Sequence, residues 1–401
     1  MSEGVNSGSK AITGRMMLPF ACMSASYFAH IGFFNPYLSL WLKELGYGVS
    51  VIGLLISFQA FTRLYSPYAW GWISDRTGHR VLLLRISAGV ALLCSLGLGH
   101  QGGLAWLVAV LLLMFTHTSS MMPMSEAAMA HVVSQGGTLD AHRYGRIRLW
   151  GSLGFLLTVL SAGWWFDHRG MHDFPIWTWG TLLLVNLSVW LMPNVREPQG
   201  EHAHHQPIWT ELIRPHNRWF FATMFFHVLA HVAIYSFYSL YLDSLGYSKA
   251  MIGALWALSV AVEVLGFLTQ GRWLHLLSHQ RWLWLCACTL LLRMSMIAVG
   301  ASSLWVLALA QVLHTATFAI HHSVCISWLS KHFAARLRGR GQALYSIIGY
   351  GATGVLGALG GGLISEHLGL SAVFWAAIPV SAMAVLGAWK LQQVTVHPQR
   401  N

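Results

Sequence analysis

This chain is poor in charge: 9% of its 401 residues are Asp, Glu, Lys or Arg, with only 13 acids. A soluble globular domain uses charge on roughly a quarter of its positions, so that class is excluded. Cysteine is scarce too. Cys22, Cys94, Cys286, Cys288 and Cys325 all fall in apolar runs without metal or redox spacing, and they read as packing residues. No Gly-Lys-Ser/Thr phosphate loop is present, which removes ATP drive, and no nucleophile–base pair stands at usable spacing, which argues against an enzyme. His202, His204 and His205 lie close together, but no cysteine or carboxylate cage accompanies them; no metal and no cofactor are expected. The first 15 residues are polar and lack the charged-apolar-small order of a cleavable signal.

What the chain has is apolar length. Hydrophobic residues make up 55%, and the mean hydropathy is +0.54. Runs near the ~20 residues that cross a bilayer recur throughout. We place spans at 17–42, 50–72, 81–99, 103–132, 147–166 and 175–193, then 217–242, 250–270, 282–300, 303–330, 342–365 and 371–390. The span at 50–72 carries Gln59 and Arg63 and is weak on hydropathy alone.

A repeat supports that weak span. Leu40-Trp41-Leu42-Lys43-Glu44-Leu45-Gly46-Tyr47 returns 200 residues later as Leu240-Tyr241-Leu242-Asp243-Ser244-Leu245-Gly246-Tyr247. Ile52-Gly53 meets Ile252-Gly253, Leu55 meets Leu255, Gly71 meets Gly271, and Arg63 falls opposite Glu263. The period is too long for a solenoid. It predicts an all-α membrane protein of twelve helices in two pseudo-symmetric six-helix bundles, 1–193 and 217–401, joined by a cytoplasmic linker at 194–216. Six spans per half give both halves the same orientation.

Charge placement orients the bundles. With both termini cytoplasmic, nineteen of the 24 Lys and Arg fall in the termini and the even-to-odd loops. Lys43, Arg169 and Lys249 fall outside, and Arg63 and Arg293 lie within spans. That bias is the positive-inside pattern, expected for a multi-pass protein of a bacterial inner membrane. It also accounts for the net charge of +11 through anionic lipid, with no nucleic acid partner needed.

Ionisable groups inside spans are costly and mark pathways. Arg63, His117, Glu126, Glu263, Arg293 and His314 are of this kind, with His30, His227, His231, His321 and His322 besides. A single histidine is readily a hydrogen-bonding core residue. Arg63, Glu263 and Arg293 require partners or a wet cavity. In the helix at 342–365, Gly351, Gly354, Gly357, Gly360, Gly361 and Gly362 form a small-residue stripe for close packing.

Two motifs carry a resemblance. Gly71-Trp72-Ile73-Ser74-Asp75-Arg76-Thr77-Gly78-His79-Arg80 resembles the loop signature of the major facilitator superfamily. Its Asp75, with Arg76 and Arg80, would latch one conformation at the inner face, while Gly71 and Gly78 would allow tight helix ends. Ser125-Glu126-Ala127-Ala128 followed by Tyr144-Gly145-Arg146-Ile147-Arg148-Leu149-Trp150-Gly151 is similar to the fourth and fifth helices of the oligosaccharide:proton symporters. Over nearly the whole chain the resemblance is closest to the 3-phenylpropionic acid transporter branch. Leu255-Trp256-Ala257-Leu258-Ser259-Val260-Ala261-Val262-Glu263-Val264 and Gln311-Val312-Leu313-His314-Thr315-Ala316-Thr317-Phe318 add to it.

That resemblance implies a substrate pair, Glu126 with Arg148, and a proton-coupling set of Glu263, Arg293 and His314. The lactose-carrying member of the family has a coupling carboxylate three residues after its tenth-helix histidine, where this chain has Thr317. Glu263 is the natural substitute, since burial penalises its charge while a neighbouring Arg293 would offset that penalty. His314, if bonded to Glu263, would help set the balance.

An aromatic carboxylate needs a cationic anchor and flat walls. Arg148, Arg63 and Arg293 are candidate anchors; Trp150, Trp256, Phe34, Tyr37, Tyr235, Tyr238 and Phe318 are candidate walls. The expected activity is proton-coupled symport of a small organic solute, with aromatic acids favoured, by a protein acting as a monomer. A sugar or nucleoside symporter is the alternative among transporters, and a non-transporting membrane sensor the alternative outside them.

Overall fold

A computed structural model describes residues 14–133, 141–194, 209–333 and 337–396. Among these, twelve helices are long and apolar enough to cross a membrane. They are α1 (Met17–Glu44), α2 (Val49–Thr77), α3 (Arg80–Gly99), α4 (Gly103–Met129), α5 (Ile147–Arg169), α6 (Met171–Leu191), α7 (Pro215–Ser244), α8 (Lys249–Leu276), α9 (His279–Gly300), α10 (Leu304–His332), α11 (Arg340–Leu368) and α12 (Leu370–Thr395). Each overlaps one span read from the sequence. The helix α2 is continuous through Gln59 and Arg63. The linker histidines lie outside the described residues.

The repeated octapeptide builds the same helix end twice. Gly46 (φ 86°) and Gly246 (φ 85°) adopt the left-handed conformation that ends α1 and α7. Tyr47 N–H then donates back to Leu42 O at 3.2 Å, and Tyr247 N–H to Leu242 O at 3.1 Å. Such a six-to-one bond satisfies a terminal carbonyl, and only glycine adopts the required φ freely. Within the first half, α1 packs on α5 and α6, and α4 on α2 and α3; in the second, α12 packs on α7 and α9. Between halves, α2 meets α11 and α5 meets α8.

The repeated Ile-Gly explains how closely the halves approach. A Cβ at Gly53 would stand 2.5 Å from the carbonyl oxygen of Ala358 on α11, and one at Gly253 would stand 2.6 Å from that of Val159 on α5. Tyr37 bridges the seam, donating to Val159 O at 2.9 Å and Lys249 O at 3.1 Å. Asp167 at the end of α5 accepts from Lys249 N at 2.6 Å and Ala250 N at 2.9 Å, capping α8 from the other half. Lys43 reaches Asp243, its counterpart 200 residues on, at 2.7 Å. These contacts gather at the end remote from the basic loops, so the space between the halves is sealed there and faces the basic end.

The glycines of α11 divide between two neighbours. Gly351, Gly354 and Gly362 lie against Leu64, Ala60 and Gly53 of α2; Gly357 and Gly361 lie against Val232 and Phe237 of α7. Gly360 meets nothing and is not part of the stripe. Two helices contain a wide π turn, Thr315–Ile320 in α10 and Ile347–Ala352 in α11. Such turns are frequent at functional sites.

Candidate functional site

The second half contains a fully buried guanidinium. Arg293 on α9 is 0% exposed. Its Nη1 shares two hydrogens among Thr317 Oγ1 at 2.9 Å, His314 Nδ1 at 3.0 Å and, farthest, His231 Nε2 at 3.2 Å, and its Nη2 donates to Gln311 Oε1 at 2.9 Å. On the far side of the His314 ring, Nε2 lies 3.3 Å from Glu263 Oε2. Arginine only donates, so His314 Nδ1 must accept; in the neutral ring the single N–H is then on Nε2, pointing at the Glu263 carboxylate. The result is a line, Arg293–His314–Glu263, in which the acid touches the histidine and not the arginine.

That geometry corrects the expectation of Arg293 beside Glu263: His314 stands between them. Thr317, which departs from the family carboxylate, is a direct neutral ligand of Arg293. The Glu263 side chain keeps 19% of its surface exposed, so it is the member of the line that water reaches. His231, Gln311 and Thr317 were not assigned to this network from the sequence. Spacing gives a partial signal for two of them, since Gln311 and Thr317 flank His314 at three residues on either side.

Two further histidines lie beneath it. His227 and His321 stack at 3.7 Å with rings 2° from parallel, and His227 Nε2 bonds Thr317 O at 2.8 Å. The stack continues the polar seam between α7 and α10. His314, Phe318 and His322 also stack in sequence along α10, with centroids 5.2 and 6.2 Å apart. His322 Nδ1 bonds Tyr345 Oη at 3.0 Å, and that hydroxyl meets Tyr350 Oη at 3.1 Å.

The first half holds its pair differently. Arg148 Nη1 donates to Glu126 Oε1 at 3.2 Å, with 44% and 35% of the two side chains exposed. The Arg148 guanidinium also lies over the Phe28 ring, 4.5 Å from its centroid. Arg63 on α2 is exposed and forms no hydrogen bond or ion pair among the described residues. His322 is within electrostatic range of both Arg148 and Glu263, so the two charged sets approach each other from the two halves.

Aromatic placement sorts the walls. Trp256 stacks on Tyr235 at 6.4 Å and anchors its Nε1 on Ser239 Oγ at 3.1 Å; Tyr235 in turn stacks on His231. Tyr235 and Phe318 are half-buried and form the second-half wall, with Trp256 buried behind Tyr235. Phe34 is instead packed among Phe33, Phe115 and Phe174 in the first bundle, Tyr37 is a strut between halves, and Tyr238 is buried behind Trp256. Trp150 is the clearest correction. It lies in a stripe with Leu153, Leu157, Leu160 and Trp164, all exposed on α5. Two residues turn a helix by about 200°, so Trp150 points away from Arg148 and toward lipid.

The loop motif is also partly corrected. Gly78 (φ 69°) ends α2 with its N–H on Ser74 O at 2.8 Å, as a tight helix end requires. Gly71 lies inside α2 with open space at its Cα, so it ends no helix. Asp75 accepts from Arg80 at 3.0 Å within its own half, and Arg76 lies over Trp72.

Two same-facing six-helix bundles, sealed at one end around a charged and aromatic chamber, define a secondary transporter of the major facilitator type. The chain belongs to the MFS_1 like family, whose model matches residues 24–376. It is 27% identical over 378 residues to the probable 3-phenylpropionic acid transporter of Escherichia coli (strain K12), covering 92% of this chain and 96% of that one. It is 26% identical over 354 residues to the maltose permease of Geobacillus stearothermophilus, covering 86% and 87%. Among solved structures, a mutant of the nucleoside transporter NupG superposes with a TM-score of 0.81 at 14% identity, over 94% of this chain and 99% of that chain. Each of these relatives is named as a transporter or a permease.

Proposed function

We propose that the protein is a proton-coupled symporter of a small organic solute, with an aromatic carboxylate such as 3-phenylpropionate favoured. The observation that carries this is the line Arg293–His314–Glu263, which opens to the chamber at its acid end. When Glu263 takes a proton from chamber water, its charge is lost. The buried Arg293 cation then lacks a counterion, and an anionic solute entering the chamber restores the negative charge that the proton removed. Proton and solute together thus favour the switch that neither favours alone. Return of the proton leaves two negative groups in one chamber and drives the solute out.

The similarity to a probable 3-phenylpropionic acid transporter, with the Tyr235–Trp256 wall, supports the aromatic acid. The basic loops support an inner-membrane protein with both termini cytoplasmic, and the state described is then inward-facing; that it works as a monomer is part of the proposal. A sugar or nucleoside remains the second reading, because the half-exposed Glu126–Arg148 pair beside Phe28 offers a hydroxyl acceptor next to an aromatic floor.

Proteoliposome uptake tests the proposal. Glu263→Gln is expected to retain counterflow of 3-phenylpropionate and to lose its accumulation under a pH gradient. Accumulation at wild-type levels removes Glu263 from the coupling role. Counterflow of lactose or a nucleoside without the acid favours the second reading, and binding without flux a sensor.

A further inference from the structure

Three of the arginines in the membrane-spanning helices were candidate anchors, and they are engaged in different ways. Arg293 is sealed, with its bonds directed to His231, His314, Thr317 and Gln311. Arg148 faces the chamber but is neutralised by Glu126 and stacked on Phe28. Arg63 has no acceptor among the described residues and keeps its side chain exposed. A guanidinium is charged at any working pH, and an uncompensated one inside a bilayer-spanning helix is costly unless it is hydrated or meets an anion.

The position of Arg63 on α2 shows where it is directed. Phe61, Tyr65, Tyr68 and Trp72 form one exposed apolar stripe, the face suited to lipid. Arg63 lies on the opposite side by helical spacing. It is one turn beyond Gln59, which bonds Asn35 at 3.0 Å, and between Ala60 and Leu64, which touch Gly354 and Gly351 of α11. It is therefore aimed into the chamber beside the π turn that carries Tyr350. Arg63 and Glu263 are both within electrostatic range of Tyr235 and of Tyr350.

The repeat fixes the depth. Arg63 is fourteen residues past Val49, the start of α2, and Glu263 fourteen past Lys249, the start of α8. At 1.5 Å per residue both lie about 21 Å from the same end. An unengaged cation and a water-reached acid thus occupy equivalent positions on opposite walls, with Tyr235 and Tyr350 in range of both.

We infer that Arg63, and not Arg148, is the carboxylate anchor of the solute, opposite Glu263. This deepens the proposed function and rests on it. A guanidinium holds a carboxylate bidentately, the half-buried Tyr235 ring, backed by Trp256, offers a face to the aromatic ring, and the charge on Glu263 opposes the anion until a proton removes it. The chemistry selects a small aromatic monoanion over its neutral isostere.

The test compares 3-phenylpropionate with 3-phenylpropionamide, as competitors of counterflow and by thermal stabilisation of the purified protein. In the wild type the acid is preferred. Arg63→Gln is expected to weaken the acid by about 30-fold or more while shifting the amide less than threefold. Arg63→Lys is expected to recover part of the preference, and Arg148→Gln to leave the acid-to-amide ratio unchanged. Amide binding reports that the variants are folded. A wild-type ratio in Arg63→Gln, or its loss in Arg148→Gln alone, overturns the anchor while leaving the proposed function standing. A wild type that responds to lactose or uridine and to neither acid nor amide overturns both.

Discussion

The two halves share a fold and a register but hold their charges in opposite ways. In the first, Glu126 and Arg148 meet at 3.2 Å in the open, with a third or more of each side chain exposed. In the second, Arg293 is fully enclosed by Gln311, Thr317 and two histidines, and only Glu263 at the end of the line reaches water. An exposed pair exchanges partners at little cost, whereas a sealed cation cannot lose a ligand without a large penalty. The difference leaves the first half's pair free to rearrange and, on the proposed function, makes the second half a fixed electrostatic reference for the proton.

Arg293→Met should break this contrast most severely. Removing the cation strips four acceptors of their donor, and we expect a loss of about 3 kcal/mol or more of stability by thermal unfolding. Arg148→Gln should change stability by about 1 kcal/mol or less. Equal losses at the two positions would refute the division between halves. Next in size is the feature the halves share. Gly253→Val should cut the transport rate more than tenfold at normal expression, because its side chain must enter the α5 backbone; a normal rate would show that the seam is looser than described. The smallest effect concerns a device present on one seam. Asp167→Ala removes the cap on α8 and should shift the equilibrium toward the outward state by about 1 kcal/mol, or about fivefold. Labelling of Ser239→Cys by an impermeant thiol reagent added outside, in a cysteine-free background, reads that shift.

Several features were legible before any coordinates. The equivalence of Gly46 with Gly246, of Gly53 with Gly253 and of Arg63 with Glu263 follows from one repeat; the left-handed helix ends and the close approach at those glycines came from the structure. The Lys43–Asp243 bridge was not read there, since equivalent positions in a repeat need not touch. The pairing of Glu126 with Arg148 was carried by resemblance. Trp150 and Gly71 were misplaced for a common reason: a motif gives neighbours along the chain, while the face a residue presents depends on the helix it lies in. The insertion of His314 between Arg293 and Glu263 was not readable, since three helices meet there and each spacing is compatible with direct contact.

The sequence by itself determined the twelve helices, their duplication and the asymmetry of basic loops, because hydrophobic length, local turn chemistry and charge bias act along the chain. Only the tertiary structure decided which arginine is enclosed, which is neutralised and which stays open to the chamber. That outcome depends on side chains converging from α2, α4, α5, α8, α9 and α10, and on π turns that rotate α10 and α11 away from a regular helical phase. Local pattern sets an element's existence; the partner of a buried charge is set by whichever group packing brings within 3 Å or so of it.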